Sequence, residues 1–193
     1  MVRYSEGHKA ETRQRIVESA GRRLKSDGID GSGVAVLMKD AGLTNGAFYA
    51  HFASKEALVA EVIGSELRTQ LAAYDQIPPG RPGIEVMVRR YLSVEHRDAV
   101  DLGCPSAALI DEIVRGGPAV RVAYDDGLTA IVEAMASRLE GESELHGESL
   151  RLQVMSAYAL MIGTMQMARS LVDDTRSREL LARGIDNVLA LLT

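Results

Sequence analysis

The residue with the clearest chemical reactivity is Cys104, the single cysteine of the chain. It stands in the tripeptide Gly103-Cys104-Pro105, which is typical of a helix start with the cysteine at the cap and proline in the first turn. The partial positive charge at a helix N-terminus favours the reactive thiolate form of a cysteine. Cys104 is therefore a candidate reactive thiol, and a buried, inert cysteine is the alternative.

Two neighbours of Cys104 raise the question of nucleophilic catalysis. His96 lies eight residues before it and Asp101 lies between them, so a cysteine nucleophile with a histidine base is conceivable. No further signature supports that pairing, and we do not predict an enzyme. The remaining histidines lack metal-ligand spacing, and the sequence contains no phosphate loop or dinucleotide fingerprint. We therefore predict no metal and no cofactor.

The elements that must position these residues are helices. Apolar residues recur at helical spacing along almost the whole chain, and strand-like alternation is nearly absent. This pattern predicts an all-α fold of about nine helices, with a three-helix N-terminal head and a larger C-terminal body. We expect helices at about 9–26, just after Ser32, and at 45–50, 54–74, 84–97, 105–115, 118–140, 148–172 and 176–192. The stretch 77–83 holds three of the five prolines and is predicted to be non-helical.

The formal net charge of −5 conceals opposite charges in two parts of the chain. Residues 1–55 contain nine Lys/Arg and six Asp/Glu, a net charge of +3, whereas residues 56–193 contain thirteen and twenty-one, a net charge of −8. Phosphate contacts dominate affinity for DNA, so a basic head on an acidic body suits a protein that docks one end onto DNA. A random scatter of surface charge is the alternative.

Residues 28–58 have the organisation of a helix-turn-helix, with two short helices, a tight turn that contains Gly42, and Thr44 as the expected cap of the second helix. The string from Gly42 to Leu58, GLTNGAFYAHFASKEAL, closely resembles the recognition-helix signature of the TetR family of repressors. The resemblance covers roughly residues 10–60. It implies a DNA-binding domain at 1–55, with its helix-turn-helix at about 33–52, and an effector-binding and dimerisation domain at 56–193.

The same resemblance implies which residues of the head contact DNA. Thr44, Asn45 and Ala47 would approach the major groove, and Asn45 is chemically able to pair with an adenine edge. Gly46 would allow close approach of the backbone. The residues that would bind phosphates are Tyr49, His51 and Lys55. Phe52 is expected to pack inside the head.

The chain departs from the family pattern at the start of the second helix. Gly33 stands where the family usually has a hydroxyl residue, and Ser32 is expected to replace it as the helix cap. Ser32 and Gly33 are both candidates for contact with DNA. Because the start of the second helix offers fewer polar side chains to DNA, specificity for the DNA sequence should depend more on the third helix and on a basic N-terminal segment. In that segment Arg3 and Lys9 are the candidates for contact with DNA.

The resemblance also implies the roles of the body. The family dimerises through its last two helices, here about 148–172 and 176–192, which are rich in Leu, Met, Val and Ala. Some TetR-like repressors carry a comparable Gly-Cys at this point and sense electrophiles or oxidants through it. The candidate residues of an effector pocket or sensor are Cys104, His96, Tyr124, Met135, Tyr158, Met161 and Met165. A reversible ligand and covalent chemistry at Cys104 both remain open.

The predicted function is that of a TetR-type one-component transcriptional repressor, a homodimer that binds palindromic operator DNA and is released by a small-molecule effector. A thiol-based sensor of electrophiles or oxidants is the alternative, and a helical enzyme or ligand-binding protein without DNA binding is the remote one. We expect a cytoplasmic protein without a membrane span. A lone cysteine suits a reducing compartment, the first eleven residues have no apolar core of a signal peptide, and the apolar stretch 152–168 contains four polar residues.

Overall fold

The computed structural model describes residues 6–192. Within that range the chain forms nine α-helices and two short 3₁₀ helices and contains no strand, so the predicted all-α fold is confirmed. The α-helices are α1 (Glu6–Asp27), α2 (Val34–Asp40), α3 (Lys55–Tyr74), α4 (Gly80–Tyr91), α5 (Val94–Asp98), α6 (Pro105–Arg115), α7 (Pro118–Leu139), α8 (Gly147–Ser170) and α9 (Asp174–Leu191). The 3₁₀ helices are Asn45–Ala50 and Val100–Leu102.

Two predicted boundaries are wrong. The stretch 77–83 is not entirely non-helical, because α4 begins at Gly80 and holds Pro82 in its first turn. Proline is tolerated there, since an N–H in the first turn has no acceptor within the helix. The helix predicted at 84–97 is interrupted after Tyr91, and Ser93 restarts it by accepting a hydrogen bond from the backbone N–H of His96 at 3.1 Å.

The head is built from α1, α2, the first 3₁₀ helix and the start of α3. Its apolar side chains recur along α1 at three- and four-residue spacing, so that Ile16 and Leu24 lie on one face and are fully buried. Leu37 of α2, Phe48 of the 3₁₀ helix and Leu58 of α3 close the same core. Burying each such side chain contributes roughly 1.5–3 kcal/mol, which compensates for the shortness of the head's elements.

The body is a bundle in which α3 packs along α7 and α8 packs along α9. A glycine brings each pair close together. A Cβ added to Gly127 of α7 would lie 2.5 Å from the side chain of Leu67, and one added to Gly184 of α9 would lie 2.5 Å from Thr164. Because α3 begins in the head and ends in the body, it connects the two through one continuous helix.

The apolar stretch 152–168 lies within α8 and packs in the body. No helix in residues 6–192 has the length and hydropathy needed to span a membrane. Across the same residues, no cluster of three or more His, Cys, Asp and Glu side chains could hold a metal ion.

Candidate functional site

The turn of the helix-turn-helix is fixed by Gly42, whose φ of +72° lies in the left-handed region. Its N–H donates to the carbonyl of Lys39 at 2.9 Å, and the N–H of Leu43 donates to the carbonyl of Met38 at 2.9 Å. These two bonds form a Schellman motif, which ends α2 sharply and satisfies its last carbonyls. The glycine that the sequence singled out therefore sets the angle between α2 and the recognition segment, as we call residues 44–51.

The two predicted hydroxyl caps are not formed. Gly33, rather than Ser32, is the N-cap residue of α2, and no side chain caps that helix. The hydroxyl of Ser32 is instead buried without a hydrogen-bond partner among the described residues. Thr44 is the N-cap residue of the 3₁₀ helix, but its hydroxyl makes no capping bond and the side chain is exposed. The third predicted helix is 3₁₀ rather than α.

The recognition segment presents its polar residues outward and its aromatic anchor inward. Thr44, Asn45 and Gly46 are exposed, and Ala47 is half-buried. Phe48 is buried, and its ring stacks with that of Phe52 at 5.8 Å between centroids. The burial of Phe52 in the head, expected from the sequence, is confirmed.

Tyr49 lies on the outer side of the recognition segment. Its side chain is 76% exposed, and only the edge of the ring contacts Phe48, with the centroids 5.3 Å apart. The ring of Tyr49 therefore lies mostly outside the core of the head. An exposed aromatic ring with a free hydroxyl is available to a partner molecule.

His51 and Lys55, the other predicted phosphate ligands, are less accessible. His51 is half-buried, and burial together with the charges of Lys9 and Arg13 lowers its pKa. The guanidinium of Arg13 donates to the carbonyl of His51, pairs with Glu61 and lies 4.1 Å above the ring centroid of Phe52. Arg13 thus holds the end of the recognition segment against α3.

Lys55 is half-buried, and its ammonium donates to the backbone carbonyl of Ile29. One of its three N–H bonds is therefore committed to holding α3 against the loop after α1. Lys9 is exposed on α1. Arg3 lies outside the described residues.

A cavity of about 400 Å³ lies in the body, beside the head. Its wall comes from α3, α4, α5 and the loop that runs into α6. Of the seven predicted effector residues, His96 and Cys104 line it. Tyr158 and Tyr124 stand behind the wall in a hydrogen-bond network. Met135, Met161 and Met165 are fully buried in the core of the bundle and are not part of the wall.

His96 is fixed by two hydrogen bonds that define its protonation. Its Nδ1 lies 2.6 Å from the carbonyl oxygen of Tyr91, so Nδ1 carries the proton, and Nε2 accepts the backbone N–H of Cys104 at 3.0 Å. Burial lowers the pKa of His96, in agreement with this neutral form. Because Nε2 is occupied by a backbone group, His96 is not oriented as a base for the thiol of Cys104.

Cys104 is the N-cap residue of α6 with Pro105 in the first turn, as its sequence context predicts. The side chain is buried, and Sγ lies 3.3 Å from the Tyr158 hydroxyl, which also receives the amide N–H of Gln70 at 3.2 Å. Ser106 continues the network from Tyr158 to the hydroxyl of Tyr124. Burial raises the pKa of Tyr158 well above its ordinary value, so its hydroxyl remains a donor.

Lys25 joins the head to the cavity. Its ammonium, on α1, lies 2.7 Å from the carboxylate of Glu66 on α3 and 3.0 Å from the carbonyl oxygen of Gly103. Glu66 and Gly103 both line the cavity. A second link runs from α6, where Glu112 accepts the backbone N–H of Asp30 at 2.9 Å. Both ends of α6 are therefore bound to the head.

Comparison with known proteins identifies the family. Residues 16–62, which include the whole helix-turn-helix, match the family described as bacterial regulatory proteins, tetR family. The chain is 27% identical over 173 residues to the HTH-type transcriptional repressor NemR of Escherichia coli K12, covering 82% of this chain and 84% of the relative. It is 26% identical over 140 residues to the HTH-type transcriptional regulator UidR of the same organism, covering 71% and 68%. The head is therefore of the TetR-family type. Over most of its length the chain is similar to transcriptional regulators.

The TetR-family fold extends over the body as well as the head. The crystal structure of reduced NemR from E. coli matches with a TM-score of 0.78 at 23% identity, covering 92% of this chain and 95% of that one. Likeness at this identity reports the fold alone.

Two residues that organise this TetR-family site were not predicted from the sequence. Arg13 and Lys25 stand in the basic α1 among other Lys and Arg residues, and nothing in residue type or spacing marks them out. Their partners lie 48 residues away for Arg13 and 41 and 78 residues away for Lys25. Lys25 carried one weak signal, because it falls next to the apolar face of α1 that contains Leu24.

Proposed function

We propose that this TetR-family regulator is a repressor that binds palindromic operator DNA as a homodimer and releases it when a small molecule occupies the body cavity. The observation that carries the proposal is the recognition segment. It exposes Thr44, Asn45, Gly46 and Tyr49 while Phe48 anchors it in the head. A rigid segment with hydrogen-bonding side chains on one surface is suited to reading base edges in the major groove.

In this proposal the contacts divide into two kinds. Asn45 and Thr44 read base edges, and the exposed Gly46 lets the backbone approach the DNA. Tyr49, through its exposed hydroxyl, and Lys9 bind phosphates. His51 contacts a phosphate through the accessible part of its ring, because its Nδ1 is buried, and Lys55 contributes through its remaining N–H bonds. Because operator DNA lies in the cytoplasm, we expect the protein to act there.

The dimer is proposed to form through α8 and α9. Four large apolar side chains are exposed along α8: Leu152, Met155, Leu160 and Met167. A stripe of this kind on a soluble bundle favours pairing with a second copy. A twofold dimer would present two recognition segments roughly 34–36 Å apart, the separation of successive major grooves.

Release is proposed to act through Lys25 and α6. A ligand in the cavity contacts the wall that contains Glu66 and Gly103, the two groups that hold Lys25 of the head. Movement of that wall would change the angle of α1 and so the separation of the two recognition segments. Ligand and operator would then each weaken the binding of the other by the same factor.

The test is a mobility shift with the DNA upstream of the protein's own gene. We expect a palindrome-containing fragment to shift, with an affinity that falls steeply as salt rises. Asn45→Ala should weaken binding roughly 5- to 100-fold if Asn45 pairs with a base. Gln76→Ala, which removes an exposed amide from the loop before α4, is the matched control and should have no effect. If none of the upstream fragments shifts at low salt, the proposal is contradicted.

A second candidate function, thiol-based sensing, is favoured by one observation: Cys104 lines the cavity at the N-terminus of α6. Its thiolate would add to the electron-poor carbon of an electrophile such as N-ethylmaleimide, forming a carbon–sulfur bond while the neighbouring carbon gains a proton. Tyr158 would stabilise the thiolate through its hydroxyl. If Cys104→Ser still releases the operator in response to the electrophile, this candidate fails and a reversible ligand remains.

A further inference from the structure

The body cavity has apolar side chains over much of its wall and hydrogen-bonding groups from α3 and α4. Ala73, Ile77, Met87 and Leu102 are among its apolar members. Its volume of about 400 Å³ suits a ligand of roughly 10 to 20 non-hydrogen atoms, at the small end of the range for protein pockets.

The charged groups of the wall are already neutralised or face solvent. The carboxylate of Glu66 is paired with Lys25 at 2.7 Å, and Arg90 and Glu95 are exposed. His96 is neutral with both ring nitrogens occupied. A charged ligand would therefore lose its hydration without meeting an unpaired buried counter-charge, which is costly.

Two uncharged groups of the wall have hydrogen-bonding capacity that the protein does not use. Tyr91 is 6% exposed, and its hydroxyl has no hydrogen-bond partner of normal geometry within the described residues. Its one polar neighbour of note is the Cys104 thiol, a weak hydrogen-bonding group that adds to the effect of burial in raising the pKa of Tyr91. Gln70 donates its amide N–H bonds to Tyr74 at 3.0 Å and Tyr158 at 3.2 Å, which leaves its Oε1 buried without a partner.

Leaving such groups unsatisfied destabilises the empty protein, because a buried polar atom that loses water and gains no partner is unfavourable. Phenylalanine at position 91 would fill the same space without that cost. The hydroxyl of Tyr91 is therefore better explained by a ligand that completes it than by packing. The hydroxyl of Tyr91 can donate, and Oε1 of Gln70 can only accept.

We propose that the ligand of this cavity is an uncharged, largely apolar compound that carries a hydroxyl or amide group, which donates to Gln70 and accepts from Tyr91. This assignment rests on the proposed function for the identity of the cavity as the effector site. Binding of a ligand to this wall does not require DNA and can be measured without it.

The probes are 2-naphthol, naphthalene, 2-naphthoate and 2-naphthylmethylamine, which share a ring system and differ in one group. Binding to the full-length protein is measured by equilibrium dialysis at neutral pH. We expect 2-naphthol to bind at least threefold more tightly than naphthalene, and the anion and the cation to bind more weakly than both. No binding of 2-naphthol, or tighter binding of either charged probe, overturns the assignment.

Tyr91→Phe then separates a ligand contact from a structural role. We expect it to reduce the preference for 2-naphthol over naphthalene roughly three- to tenfold, and to leave the thermal midpoint of the empty protein unchanged or raised. Tyr124→Phe is the matched control, because that hydroxyl is paired with Ser106 at 3.2 Å. It should lower the midpoint and leave the preference intact. An unchanged preference in Tyr91→Phe overturns the assignment.

The mobility-shift experiment distinguishes this assignment from the proposed function. If 2-naphthol binds with the expected preference but the protein fails to bind or release DNA, the ligand class is retained and the regulatory role of the cavity fails. If the protein binds DNA but shows no preference among the probes, the regulator is retained and the ligand class is wrong.

Discussion

Replacing Lys25 with methionine removes the charge that joins the head to the cavity wall. The Lys25 side chain is 3% exposed, and the Glu66 side chain with which it pairs at 2.7 Å is 24% exposed. Lys25→Met leaves the Glu66 carboxylate and the carbonyl oxygen of Gly103 without their donor. Removing one partner of a buried pair costs about 3–5 kcal/mol, and we expect the lower end, about 3 kcal/mol, because Glu66 still reaches water.

The assay is urea unfolding at one fixed protein concentration, followed by circular dichroism. With a slope of about 2 kcal/mol per molar urea, the loss corresponds to a midpoint lower by about 1.5 M. The double variant Lys25→Met/Glu66→Leu should recover most of the loss, since well-packed apolar residues often replace a buried ion pair without destabilisation. Both variants should also weaken the reciprocal effect of ligand and operator, because the link between α1 and the wall is gone.

The control is Arg89→Met, which breaks the pair between Arg89 and Glu85 on the surface of α4, where both side chains are at least half exposed. That pair should contribute no more than about 0.5 kcal/mol, because solvent screens exposed charges. A Lys25→Met loss as small as the Arg89→Met loss would refute the reasoning. So would a double variant that is less stable than the single one.

Three further predictions concern the turn, the interface and pH. Gly42→Ala should destabilise the protein by about 1–2 kcal/mol, measured by urea unfolding, because φ at Gly42 is +72°. Met167→Glu should shift the protein from dimer to monomer in sedimentation, because Met167 is exposed on the proposed interface. Burial lowers the pKa of His96, so the unfolded chain binds protons before the native state does. The free energy of unfolding should therefore fall as pH drops through about 6.5 towards 5, and His96→Gln should make that dependence shallower.

Each of these predictions has a matched control. Gly33→Ala should be nearly neutral, because Gly33 has φ of −77° and, like Gly42, has open space where a Cβ would lie, so the backbone angle alone distinguishes the two. Val114→Glu places a carboxylate on an exposed apolar site of α6 and should leave the dimer intact. His51→Gln should change the pH dependence less than His96→Gln, because His51 is less deeply buried. Equal effects within any pair would contradict the corresponding prediction.

The sequence by itself determined the helical fold, the turn at Gly42 and the resemblance of the head to the TetR family. Helical periodicity is a local property, a left-handed turn requires glycine, and the recognition string is contiguous in the chain. The burial of Phe52 and the place of Cys104 at the start of α6 followed from the same local rules. Predictions that rested on hydroxyl caps at Ser32 and Thr44 were wrong because a cap needs a particular side-chain orientation, which residue type does not specify.

The cavity and its link to the head were decided only by the tertiary structure. Gln70, Tyr91 and Cys104 come from three different elements, and only packing brings them to one wall. The methionines of α8 are of the residue type expected in an apolar pocket. In the structure, however, Met161 and Met165 lie on the side of α8 that packs into the core of the bundle. Lys25 finds Glu66 and Gly103 across 41 and 78 residues of chain. Contacts between distant segments depend on how whole helices pack, and no local pattern in the sequence encodes that packing.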